Sequence, residues 1–362
     1  MSEYTRLLTD KGDLGSTRPE TGPAPQAGPG EIVLKPDRFS LTTNNITYAA
    51  FGDAMQYWHF FPTGQEGWGH MPVWGFADIV ASDIPGLEAG ERFYGYFPIA
   101  SHVVMKPERI SERGFYDGAE HRQALVSAYN QYTRCSADTV YAPEREAFQA
   151  LYRPLFITSF MLADYLADND FFGARQLIIS SASSKTAYGT AFCLGADRIP
   201  ATGLTSPRNA AYVEGLGCYD GVVAYGDVES LDAGTPAIYV DFSGDNGLRE
   251  RIHRHFGDNL VHDCFAGSAA NTGFIGEQDL PGPKPVFYFA PNQIKKRNKD
   301  WGPAEVTRRY NQAESDFFAH LDSASPAWVR LDEAGGFAGA QAVIADLAAN
   351  GGDPAVGHVI VL

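Results

Sequence analysis

LIISSASSKTAYG, residues 177–189, opens as a short apolar run, bends through five small residues and continues at helical spacing. A buried strand that turns through small residues into a helix N-terminus is the layout of a phosphate-holding loop. The glycines that usually line such a loop are missing, and Lys185 stands in the middle. The flanking sequence repeats the alternation. KTAYGTAFCLGA predicts a helix, RIPATGL a strand, PRNAAYVEGLG a helix, and GVVAYG, AIYVDFSG, NLVHDCFAG and KPVFYFAP further strands. NGLRERIHRHFG is the intervening helix. Strands alternating with helices predict a parallel, doubly wound sheet covered on both faces.

Upstream the pattern changes. From GEIVLKPDRFSLTT to SHVVMKPERI, short apolar or alternating runs are broken by Gly and Pro, as in VWGFADIVAS and ERFYGYF around DIPGLEAG. This predicts an all-β domain with a barrel or sandwich core. HRQALVSAYNQYT and EREAFQALYRPLFITSFMLADYLADN then carry apolar residues at helical spacing, so a helical insertion is expected over about 112–150. Residues 10–30, rich in Gly and Pro, read as an exposed, poorly ordered connector. An amphipathic helix, GFAGAQAVIADLAANG, and a strand, GHVIVL, close the chain.

At 362 residues two domains are expected. The 44% hydrophobic and 20% charged content suits a globular protein. The net charge of −16 repels nucleic acid and anionic lipid, which argues against polyanion-binding functions. Cys135, Cys193, Cys218 and Cys264 show no CxxC and no regular spacing, as expected of isolated thiols in a reducing compartment. With no signal-peptide pattern and no apolar run of membrane-spanning length, a cytoplasmic location is expected.

Three readings compete for SSASSKTAYG. A serine–lysine catalytic pair needs a serine three residues before Lys185, and that position is Ala182. In a P-loop, Ser184 replaces the glycine beside the lysine, and Ser180 or Ser181 the opening glycine. In a dinucleotide loop, Ser181, Ala182, Ser183 and Ser184 are small enough for close approach, and Lys185 adds a cation ahead of Thr186. On the loop alone, a plain strand-to-helix connection stays open. NAD-binding sheets place Asp or Glu about 20 residues further on, to hold the ribose. Here ATGLTSPRN has no acid and offers Thr205, Ser206, Arg208 and Asn209. A guanidinium there binds a 2′-phosphate, which favours NADP over NAD.

This order of elements resembles the medium-chain dehydrogenase/reductase superfamily over nearly the whole chain, from about Gly30 to Leu362. PVWGFADIVASDIPGLEAGERFYGYF is similar to the family segment that leads from the barrel core into a G-D-x-V turn, with Ala89-Gly90-Glu91-Arg92 in its place. RPLFITSFMLADYL is similar to the helix joining the domains, and this similarity puts Thr158 near the nicotinamide. YVEGLGCYDGVVAYGDVESL resembles the second helix and third strand, with Tyr225 where zinc-independent enone and quinone reductases place a residue against the cofactor. VDFSG resembles the D-x-x-G after the fourth strand, bringing in Phe242 and Ser243, and GHVIVL the final strand. More narrowly, the chain resembles the DUF2855 proteins, a bacterial branch of the superfamily. The resemblance implies a GroES-like β-domain and a Rossmann domain, NADP(H) as cofactor, Phe265, Ala266 and Gly267 at the border of the nicotinamide, and a homodimer. Ser181, Lys185 and Ala187 stand where the reductase loop G-A-S-S-G-V-G has glycines.

The expected organisation is a flexible segment 1–30, a GroES-like domain 31–160, a Rossmann domain 161–300 and a return to the first domain over 301–362. No zinc is expected. The all-β stretch up to about residue 110 lacks cysteine, His59 and His70 have no thiolate partner, and the HxH of His253 and His255 reads as a solvated helix face. Hydride transfer without metal needs a hydrogen-bond or proton donor. Asn45 resembles the family's asparagine in LTTNNITYAAFG, and Tyr48 is the nearest phenol, although with 18 tyrosines in the chain a structural Tyr48 is equally expected. Tyr57, Trp58, Phe60, Phe61, Trp68 and Trp74 suit either a packed core or an apolar cleft for a flat or fatty substrate. The leading expectation is an NADPH-dependent reductase of an enone, enoyl or quinone substrate. The alternative is a nucleotide-binding or scaffold protein that keeps the fold without hydride chemistry.

Overall fold

The computed structural model describes residues 3–195, 198–267 and 280–362. In chain order it contains β1 (Glu3–Asp10), β2 (Thr17–Pro23), β3 (Ile32–Leu41), α1 (Thr43–Ala50), β4 (Trp68–Gly69), β5 (Pro72–Ser82), β6 (Arg92–Pro98), β7 (Val103–Met105), β8 (Pro107–Ser111), β9 (Gly114–Asp117) and β10 (Gln131–Arg134). There follow α2 (Glu146–Asp168), β11 (Gln176–Ile179), α3 (Lys185–Leu194), β12 (Ala201–Thr205), α4 (Ala210–Leu216), β13 (Gly221–Ala224), β14 (Ala237–Asp241), α5 (Asn246–Phe256), β15 (Leu260–Phe265) and β16 (Val286–Phe287). The remainder is α6 (Ala290–Asp300), α7 (Pro303–Ser323), β17 (Arg330–Gly335), α8 (Gly336–Asn350) and β18 (Val356–Val361). The chain forms two units, Met1–Leu151 with Arg330–Leu362, and Tyr152–Val329.

The first unit is built on a largely antiparallel sheet of order β17-β18-β3-β5-β6-β10-β9-β8, with β7 also on β3. Alternation along β3 and β5 buries Ile32, Leu34, Phe39, Val73 and Ile79 in one core, which α8 covers with Ala340, Val343, Ile344 and Leu347. β18 pairs with β3, His358 opposite Leu41, so the last strand completes this sheet. β17 had no clear signal because it is a charged strand at the sheet edge, a usual protection against edge-to-edge pairing.

Two expectations fail here. Residues 3–23 are not a loose connector, since β1 and β2 pair antiparallel and β1 also pairs with β4. The prolines of β2 lie on an outer strand, where a missing N–H costs no ladder bond, while Leu7 and Leu8 of β1 are buried. The segment 112–150 is not a helical insertion. It holds β9, β10 and short 3-10 turns, and only its last residues begin α2. The cause is Arg122, wholly buried, which pairs with Asp117 at 2.5 Å and donates to Tyr132 Oη and Tyr129 O, both at 3.0 Å. The chain wraps this guanidinium instead of coiling.

The second unit carries a six-stranded parallel sheet of order β13-β12-β11-β14-β15-β16. Numbered within the sheet this is 3-2-1-4-5-6, the doubly wound dinucleotide-binding order. The expected α/β class is therefore observed. The return to the first unit starts at Arg330 rather than near 301, because α7 belongs to the second unit. Its Phe317 stacks on Phe156 at 4.6 Å and its buried Glu314 pairs with Arg153 at 2.6 Å. No described helix is long and apolar enough to cross a membrane.

Candidate functional site

In a sheet of this order the strand sequence reverses between β11 and β14, and ligands bind outside the carboxyl ends of the strands there. The segments leaving those ends are Ser180–Ser184 after β11, Ser206–Asn209 after β12, Tyr225 after β13, Phe242 and Ser243 after β14, and Ala266 and Gly267 after β15. Every expected cofactor residue except Thr158 lies in or beside one of these segments.

The loop takes the shape of a glycine turn without the glycine. Ser181 has φ +48°, a left-handed conformation that costs a non-glycine residue about 1–2 kcal/mol. Its N–H donates to Tyr225 Oη at 3.0 Å, and its carbonyl accepts from Ser184 N at 2.7 Å. Ala182, fully buried, donates its N–H to Leu204 O at 3.0 Å and accepts from Tyr219 Oη at 3.0 Å. Burial pushes the phenols of Tyr219 and Tyr225 above their ordinary range, so both stay protonated as hydrogen-bonding groups. β12 passes close behind the loop, and a Cβ on Gly203 would lie 2.8 Å from that of Ala182. Ser184 caps α3, its hydroxyl accepting from Ala187 N at 3.3 Å, with Lys185 and Thr186 in the first turn. Small residues and two tyrosine hydroxyls thus replace the missing glycines.

The end of β12 meets this loop. Asn209 Nδ2 donates to Ser183 Oγ at 3.3 Å. Arg208 is exposed, and Ser206 Oγ is buried without a hydrogen-bond partner. A buried hydroxyl without a partner costs free energy unless a ligand oxygen satisfies it. The donor set at this strand end therefore fits a phosphorylated ribose.

Beneath the loop, Asp241 of the D-x-x-G stretch belongs to a buried group that the sequence reading did not assemble. Asp241, fully buried at the end of β14, accepts at Oδ1 from Ser180 Oγ (2.7 Å), Tyr239 Oη (3.1 Å), Ser243 N (2.8 Å), Ser243 Oγ (2.7 Å) and Gly244 N (3.1 Å). Its Oδ2 accepts from Arg249 Nη2. Arg249 Nε also reaches Asp263 Oδ2 at 3.1 Å, and His253 Nε2 lies 2.8 Å from the same oxygen. Asp241, Arg249, His253 and Asp263 are all solvent-inaccessible. His253 is therefore not on a solvated face, and its Nδ1 donates to Pro281 O at 2.7 Å. The overlooked signal was an acid inside each apolar strand, AIYVD and LVHDCF, facing Arg249 and His253 spaced i, i+4 on α5. Ala266 N donates to Asp241 O at 2.9 Å, and Gly267 packs near Phe242, so the group also shapes the border after β15. The Phe265 ring lies 5.4 Å from the Arg249 guanidinium.

Thr158 is half-buried on α2, beside Ser159, whose hydroxyl donates to Thr186 O at 2.8 Å. In the first unit, Asn45 departs from the expected role. It is the N3 residue of the α1 capping box, with Oδ1 accepting from Thr42 N at 2.8 Å and Nδ2 donating to Pro72 O at 3.0 Å. Both ends of the amide serve the backbone, which makes Asn45 a positioning residue for α1. Tyr48, one helical turn on, is buried in a cluster with Tyr57, Tyr96 and Tyr129, ring centroids 4.6, 5.9 and 6.2 Å away. Trp74 Nε1 donates to its Oη at 3.4 Å. Burial, then the neighbouring Tyr57, pushes Tyr48 up to about 12, so it carries its proton throughout the neutral range. Among the described residues no three His, Cys, Asp or Glu side chains converge as a metal site.

No curated protein sequence matches the chain. Its fold is shared with solved structures at low identity. A putative NADPH:quinone reductase from Mesorhizobium loti is 13% identical with a TM-score of 0.61, over 100% of this chain and 99% of that one. CurA from Vibrio vulnificus, solved in complex with NADPH, is 12% identical with a TM-score of 0.60, over 99% and 98%. A mutant enoyl thioester reductase from Candida tropicalis is 11% identical with a TM-score of 0.55, over the full length of both. The fold is therefore shared with these proteins over nearly the whole chain. A family model matches residues 39–353, and the chain belongs to that family, the proteins of unknown function designated DUF2855.

Proposed function

We propose that the protein is a zinc-independent oxidoreductase that uses NADP(H) to reduce an activated C=C or C=O bond of an enone, enoyl or quinone substrate. The observation that carries this is the end of β12, where Arg208, Asn209 and the partnerless hydroxyl of Ser206 stand in place of a carboxylate, tied to the loop through Ser183. A carboxylate would repel a 2′-phosphate, whereas a guanidinium binds it in two-pronged fashion. The NADPH and quinone named for the solved neighbours agree with this choice.

In this reading the first turn of α3, Ser183 to Thr186, holds the diphosphate with backbone N–H groups and the helix dipole. Ser181 and Ala182 shape the bend, Tyr225 supports it, and Arg208, Ser206 and Asn209 hold the phosphorylated ribose. Phe242, Ser243, Phe265, Ala266, Gly267 and Thr158 border the nicotinamide. When bound, NADPH supplies a hydride. Tyr48, protonated through the neutral range, holds the proton that completes the reduction. Titration with NADPH and NADH tests the binding half, and turnover across enones, quinones and enoyl thioesters tests the chemistry. Tight NADPH binding with turnover supports the proposal. Failure to bind either nucleotide leaves the scaffold role.

A further inference from the structure

The first unit contains a cavity of about 430 Å³, within the size range of small-molecule sites, that the proposed hydride chemistry does not use. Lys11, Trp58, His59, Gln65, Trp68 and His121 line it. Its floor is built. A Cβ on Gly52 would lie 2.0 Å from Trp58 Nε1, and one on Gly69 would lie 2.3 Å from Cε3, so these glycines clamp the indole between them. The turn before it holds Gln56 at φ +62°. The wall is fixed as well. Thr63 Oγ1 accepts from Gln65 N at 3.0 Å and donates to Trp68 O at 2.8 Å, and the Arg18 guanidinium lies 4.0 Å over the Trp68 ring. Lys11 N donates to Gly67 O at 2.9 Å, and its ammonium stands 5.5 Å over Trp58.

The net charge is −16, yet the described lining has one ammonium and no carboxylate. The only acid paired with Lys11 among the described residues is Asp53, 3.7 Å away with its side chain 78% exposed, a contact weak enough for a ligand to displace. Trp58 is buried in the floor, whereas Trp68, half-buried, offers apolar ring surface in the same lining as the Lys11 cation. We propose that this cavity binds a flat aromatic monoanion, an arene carboxylate whose ring rests on Trp68 and whose carboxylate pairs with Lys11.

Isothermal titration of the full chain with 1-naphthoate, and with neutral 1-naphthamide, tests this. The acid is expected to bind saturably and about tenfold more tightly than the amide, the ~1.4 kcal/mol of one charge-assisted contact at a partly open site. Lys11→Gln, at an exposed position, is expected to abolish that preference while amide binding persists. Equal affinities for acid and amide, a preference that survives Lys11→Gln, or no saturation at millimolar ligand would each overturn the proposal. NADPH titrated in parallel reports on the second unit, so a negative result here leaves the cofactor reading intact.

Discussion

Replacing Asp241 with asparagine is the sharpest test of how the glycine-poor loop is held. The carboxylate is fully buried, accepts five hydrogen bonds at Oδ1 and faces Arg249 at Oδ2. Asparagine keeps the shape and can keep the Oδ1 acceptor. It removes the charge opposite Arg249 and turns an NH2 group towards the guanidinium, leaving Asp263 as that cation's only carboxylate partner in the group. Breaking a buried ion pair from one side costs about 3–5 kcal/mol. At about 3 °C per kcal/mol for a unit of this size, the transition of the second unit falls by roughly 9–15 °C. Scanning calorimetry reads the transition, and urea unfolding followed by circular dichroism gives the free energy. Arg249→Met in the Asp241→Asn background should not recover the loss, because Arg249 also pairs with the buried Asp263, which would then face only His253. A single variant within about 1 kcal/mol of the parent protein would show that the pair is not a determinant of the loop, and would refute the reasoning.

Arg208→Ala should remove the preference for NADPH over NADH without unfolding the protein, since the side chain is exposed; an unchanged ratio of dissociation constants would withdraw its assignment. Tyr48→Phe should lower kcat by about 10²-fold or more while NADPH affinity stays constant, as removal of a proton donor does. Gly203→Val should displace Ala182 and abolish NADPH binding, read by nucleotide fluorescence. His70 is buried and held down to about 4, by burial first and then by Arg6. The unfolded chain therefore takes up the proton at higher pH than the folded one. Stability from this group is full above about pH 6.5 and drains as pH falls towards 4, by about 3 kcal/mol in all. A His70→Gln variant should show a flatter melting temperature between pH 7 and 4.5.

Much of the architecture was legible from pattern alone. QLII, ATGLT, GVVA and AIYVD are short apolar runs separated by helical spacing, and such alternation admits essentially one solution, a parallel sheet with covered faces. The strand β18 and the helix α8 were equally plain, because each carries its apolar residues at a single period. The segment 120–134 was misread because its apolar spacing is helical, whereas its conformation follows from Arg122, a long-range ion-pair anchor that no local period records. Asn45 could be located but not given its role, since its use as a cap depends on what lies opposite, here Pro72 O.

Local sequence therefore determined the class of the second unit, the position of its small-residue bend and the absence of an acid after β12. Periodicity and side-chain size act over a few residues and survive reading in one dimension. Only the tertiary structure decided how the bend is supported. Tyr219 and Tyr225 arrive from 37 and 44 residues away and Asp241 from 61, each reaching an atom whose partner cannot be named until strands β11 to β14 are laid side by side. Hydrogen bonds are short-ranged and directional, so they are settled by the packing that brings distant segments together.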